Sequence, residues 1–76
     1  MRMDFYRASW RKTTDINREY AVFELVHDNT VLLDIGFTDN DVLEIAFHEA
    51  VSSTVIDWDR FLQFINKGKK LAEDDK

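Results

Sequence analysis

Residues 19–49, EYAVFELVHDNTVLLDIGFTDNDVLEIAFHE, hold three β-rich apolar runs joined by short polar breaks. Arg18 to His27 is rich in β-branched and aromatic residues and reads as a strand. Asp28 and Asn29 form the first turn, because Asx residues tolerate left-handed backbone angles and hydrogen-bond their own main chain. Thr30 to Phe37 returns, Thr38 to Asp41 turns again, and Val42 to His48 completes an antiparallel meander. Gly36, inside a strand, hints at a bulge or a close backbone approach, with a plain packing role as the favoured reading.

On the N-terminal side, residues 3–12 (MDFYRASWRK) read as a fourth strand or, alternatively, as a helix, and TTDIN joins them to the meander. On the C-terminal side the apolar period changes from two to 3.6. Trp58, Phe61, Leu62 and Ile65 share one helical stripe, with Phe64 at its margin. Asp57 is a suitable N-cap, Asp59 complements the helix dipole, and Gly68 marks the stop. Residues 69–76 are then a frayed tail. The expected fold is α+β: one domain over 1–76, with a three- to four-stranded antiparallel meander followed by one C-terminal helix packed on one face.

Strict two-residue turns fix a register. Val26 then faces Val31, Val22 faces Ile35, Leu25 faces Leu32 and Phe23 faces Asp34, while Phe37 faces Val42 and Leu32 faces Phe47. One face holds Phe23, Leu25, Leu32, Leu43, Ile45 and Phe47. The other holds Tyr20, Val22, Val26, Val31, Leu33, Ile35, Phe37, Val42 and Ala46 beside Glu24, Glu44 and His48. Both faces are apolar in this register, and one helix covers only one of them. The second face is expected to be covered by the N-terminal aromatics Phe5, Tyr6 and Trp10, by a second copy of the chain, or by another protein.

With 76 residues the chain has a thin core, since a domain this small buries only about 60% of its unfolded surface. Ten aromatic residues and 45% apolar composition still mark a folded chain. There is no cysteine, so neither disulfides nor a thiolate zinc cluster is available. The charges at Arg2, Asp4, Arg7 and Arg11 leave no room for a signal peptide, and no run reaches the length of a membrane span. A cytoplasmic location is the expectation. The net charge of −5 is segregated, with ten acids between residues 19 and 66 opposed by Arg60 alone. Such a field attracts basic proteins and repels nucleic acid.

Catalytic patterns are incomplete. His48-Glu49 starts a metallopeptidase motif whose second histidine belongs at position 52, where Ser52 stands. Ser52, Ser53 and Thr54 near His48 and Asp57 lack a nucleophile elbow. His27 and His48 point to opposite faces. The reading is no catalytic residue, no metal and no cofactor. The interleaved FYRASWRK supports one alternative, stacking of Phe5, Tyr6 and Trp10 on bases beside Arg7, Arg11 and Lys12; the acidic middle opposes it.

The run LEIAFHEAVSSTVIDWDRFLQFINKGKKLA resembles a small bacterial domain, and the chain is similar in type to antitoxins and immunity proteins. That likeness implies a noncatalytic acidic module that binds a basic protein partner. Asp34, Asp39, Asp41, Glu44 and Glu49 are the expected electrostatic patch, with Trp10 and Phe37 as aromatic anchors. The alternative partner is a second copy, forming a homodimer through the uncovered sheet face.

Overall fold

The computed structural model describes residues 7–52 and 54–76. Strands β1 (Ala8–Thr13), β2 (Val22–His27), β3 (Thr30–Phe37) and β4 (Leu43–Phe47) form one antiparallel sheet in the order β1-β2-β3-β4. A short 3-10 helix, Glu49–Val51, leads to helix α1, Trp58–Asp75, which packs on one face of the sheet. The α+β meander expected from the sequence is the fold observed. The segment before β2 is a strand from Ala8 onward; Phe5 and Tyr6 lie outside the described residues.

The first hairpin closes as its sequence requires. Asp28 and Asn29 both have positive φ (48° and 65°), the signature of a two-residue type I′ turn, and His27 pairs with Thr30. The register then departs from strict alternation. Val26 faces Val31, but Leu25 faces Leu33 rather than Leu32, so Leu32 is one extra residue in β3. Leu32 keeps a ladder bond on its other side, where its carbonyl accepts the His48 N–H at 2.9 Å. Without the bulge, Asp34 would point into the apolar layer, and an unpaired buried carboxylate is prohibitively costly. With it, Leu32 and Leu33 both turn inward, and the extra leucine adds about 1.5–3 kcal/mol of burial.

The second hairpin also gains a residue. Thr38 bonds Val42 and Asp41 through its backbone, Asp41 takes φ 71°, and the closing pair becomes Phe37 with Leu43 instead of Val42. The two one-residue departures cancel for β4 and leave only the rest of β3 reversed. The expectation of two apolar faces is therefore overturned. The inner face carries Trp10, Phe23, Leu25, Leu33, Ile35 and Phe37, while Glu24, Asp34, Gly36 and Glu44 share the outer face. Leu25, at 0% exposure, is the centre of the core. Gly36 answers the sequence hint as a close approach, not a bulge: a Cβ there would stand 3.2 Å from the Ala21 carbonyl.

Helix α1 starts where expected. The Asp57 carboxylate accepts the Arg60 N–H at 3.0 Å. It does not stop at Gly68. Residues 69–75 are helix, not a tail, because Ala72 is buried against Phe23 and Ile35, Leu71 packs beside it, and Lys12 Nζ bridges Asp75 at 2.6 Å. Gly68 has another task. A Cβ on it would lie 2.5 Å from the Trp10 ring, so glycine opens the slot in which β1's indole meets the helix. The longer helix also turns the expected stripe: Phe61, Phe64 and Ile65 pack on the core, whereas Trp58 is 70% exposed.

Gly68→Ala tests this slot. An interior helical alanine gains about 1 kcal/mol in propensity, but overpacking a filled site costs about 1–3 kcal/mol. Urea denaturation is expected to show net destabilisation in the native background and neutrality or a gain once Trp10→Ala has emptied the slot.

Candidate acidic face

The outer face is organised by cross-strand neighbours. Arg11, Glu24, Asp34 and Ala46 follow one another across β1, β2, β3 and β4, and Gly36 faces Glu44 in an adjoining row. Glu24 directly opposes Asp34, a like-charge pairing that destabilises a sheet unless each acid has its own partner. Both have one. Arg11 Nη2 donates to Glu24 Oε1 at 2.7 Å and Thr13 Oγ1 donates to the same oxygen at 2.8 Å, while His48 Nε2 lies 2.7 Å from Asp34 Oδ2.

Beside this row is an open concavity of about 410 Å³, bordered by Arg18, Asp34 and Glu44 over a floor of Gly36 and Ala46. The small floor residues let a side chain from outside approach the carboxylates. Arg18 crosses the rim and donates from Nη2 to the Phe37 carbonyl at 3.0 Å. Glu44 is exposed and, among the described residues, has no ion-pair partner.

The residues proposed from sequence separate into three groups. Asp34 and Glu44 come together on the outer face. Asp39, Asp41 and Glu49 do not join them: Asp39 accepts the Glu19 N–H at 3.1 Å, Asp41 forms the left-handed turn and pairs with Lys76, and Glu49 opens the 3-10 helix. Trp10 and Phe37 lie on the inner face. Trp10 occupies the Gly68 slot, and Phe37 is 9% exposed with Lys76 Nζ 4.2 Å from its ring centroid. Phe37 serves the core, because the β3 bulge turns it inward, whereas Trp10 is half-buried and lines an open hollow with Arg60, Phe64 and Lys67. Beside it, Arg11 and Lys12 are held by Glu24 and Asp75.

Glu24, His48, Arg18 and Gly36 belong to the face and were not singled out as its residues. The cross-strand pairing of Glu24 with Asp34 is the signal that identifies the first, and it is readable only once the bulge is known. His27 and His48 lie on opposite faces, as their strand positions require. Among the described residues no group of three or more metal-ligating side chains converges, and no hydroxyl bonds to His48. Among the described residues no helix is long and apolar enough to cross a membrane. No protein-family model, curated protein or solved structure matches the chain.

The Arg11 hydrogen bond, reinforced by that of Thr13, holds the Glu24 carboxyl below the usual glutamate range against the opposing effect of desolvation. A folded-state value below the unfolded one gives stability that is complete above the unfolded value and is lost as pH falls through the folded value. Glu24→Gln is expected to be less stable than the native chain at neutral pH, with the gap closing as acid protonates the native carboxylate, measured by urea denaturation at neutral and at acid pH.

Proposed function

We propose that the chain is a noncatalytic protein-binding module that receives a basic partner on the outer face of its sheet. The observation that carries this reading is the placement of Glu24, Asp34 and Glu44 on three adjacent strands, on the face opposite α1, with Asp34 and Glu44 beside Arg18 at the concavity over Gly36 and Ala46. Carboxylates fixed on a rigid sheet lose little freedom when a cation docks, and their summed field speeds encounter with a basic surface. Single exposed ion pairs contribute only about 0–1 kcal/mol, so the acids supply rate and orientation. The partly buried outward valines Val22, Val26 and Val31 offer apolar contact beside them. An inhibitor of the immunity or antitoxin kind is the sharpest form of this reading. Its target would be a basic protein whose own ligand is anionic.

Affinity capture with the immobilised native chain and with a Glu24→Gln, Asp34→Asn, Glu44→Gln variant tests the assignment. The native chain is expected to retain a basic protein that salt elutes, and the variant, still folded by circular dichroism, is expected to lose it. Equal capture by both, or capture insensitive to salt, would place the binding surface elsewhere.

A further inference from the structure

The two edges of the sheet are unlike. Strand β1 carries Arg11 and Lys12, the kind of charge that discourages edge-to-edge pairing. Strand β4, LEIAF, carries a single charge, Glu44, has neither a lysine nor a proline nor a bulge, and no described element pairs with its outer side. Its apolar side chains are left partly in water. A helix about 10 Å wide cannot roof four strands about 4.8 Å apart, so α1, seated by Trp10, leaves Ile45 39% and Phe47 56% exposed. Phe47 stacks on Phe61 at 6.4 Å, and Trp58 and Leu62 continue the exposed apolar surface along that flank of the helix.

We infer that β4 pairs antiparallel with β4 of a second copy, on a two-fold axis at Ile45, to make one eight-stranded sheet. The backbone sets the axis. Val42 and His48 direct their main-chain bonds toward β3, so alternation turns the N–H and C=O groups of Leu43, Ile45 and Phe47 outward. Centring on Ile45 pairs all three with the second copy. Ile45 meets Ile45, Leu43 meets Phe47, and Glu44 falls opposite the small Ala46. Centring on Glu44 would oppose two glutamates, and centring on Ala46 would leave Leu43 unpaired. The strand's apolar residues are symmetric about Ile45, and this self-complementarity favours a second copy over an unrelated strand.

The available area lies at the lower end of what specific interfaces bury. Aromatic side chains present 150–250 Å² each, so Phe47 and Trp58 leave roughly 250 Å² of ring surface in water per copy at their observed exposures. With Val42, Ile45, Leu62 and the strand backbones of both copies, the total approaches the roughly 1,000 Å² at which specific interfaces begin. The outer face gains as well, since the acids of two copies become one continuous surface. The two Glu44 residues become diagonal neighbours about 7–8 Å apart, close to the Debye length at physiological salt. Salt therefore tightens this dimer, whereas it weakens capture of a basic partner.

Sedimentation velocity on the full chain, over a range of concentration and salt, tests the pairing together with two variants. The native chain is expected to be a dimer that tightens with salt. Phe47→Lys is expected to raise the dissociation constant at least about tenfold with the circular dichroism unchanged. Because the chain has no cysteine, Ile45→Cys reports the axis directly: Cα atoms about 5.5 Å apart across such a pair lie within reach of a short bis-thiol cross-linker, so a bismaleimide is expected to give a covalent dimer. Arg11→Cys, on the opposite edge, is expected to stay monomeric on the same gel. A native chain that stays monomeric, a ladder of higher oligomers from β4 meeting β1, or equal cross-linking of the two cysteine variants would overturn the pairing.

Discussion

One extra residue at Leu32 decides what each face of the sheet is. Beyond the bulge, Leu33, Ile35 and Phe37 join Phe23 and Leu25 beneath the helix, and Asp34 and Gly36 turn outward beside Glu24 and Glu44. The physical preference behind it is strong, since the alternative buries a carboxylate and exposes three large apolar side chains. The acidic face is thus a by-product of core formation. Arg11, Thr13 and His48 then make tolerable the close approach of Glu24 and Asp34 that the same register imposes.

The helix supplies the second constraint. Its seat is fixed by Trp10 entering the gap at Gly68, by Ala72 beside Phe23 and Ile35, and by the Lys12 bridge to Asp75. Seated there, it shelters the core of β1, β2 and β3 and leaves the apolar side of β4 short of cover. Two surfaces of different character follow from one arrangement. The outer face gathers Glu24, Asp34 and Glu44, whereas the β4 margin leaves Ile45 and Phe47 partly exposed.

The meander, its order and the helix start were legible because they rest on local chemistry: Asp28-Asn29 for a type I′ turn, Asp57 for a cap, and a change of period at Trp58. The bulge was not legible from the strand itself, because VLLDIGF alternates in the same way with or without it and only its register against Phe23 and the helix tells which side faces inward. Asp41 hid the second added residue in the same way, since a left-handed aspartate is indistinguishable from an ordinary turn aspartate until the closing pair is seen. Gly68 reads as a stop wherever a helix ends near it. Only the position of Trp10, fifty-eight residues earlier, reveals it as a packing slot. Of the acids expected from charge alone, Asp34 and Glu44 lie together on the outer face. Asp39 and Asp41 proved to be loop residues, and Glu24 stayed hidden behind the unseen register.

The central claim is the assignment of faces along β3, and single thiols in a cysteine-free chain read it directly. Labelling rates of Asp34→Cys and Ile35→Cys in the folded protein, with circular dichroism confirming the fold, are the most direct measurement. The bulged register predicts rapid labelling at 34 and strong protection at 35. Protection at 34 with rapid labelling at 35 would show β3 unbulged, and the acidic face would not exist as described.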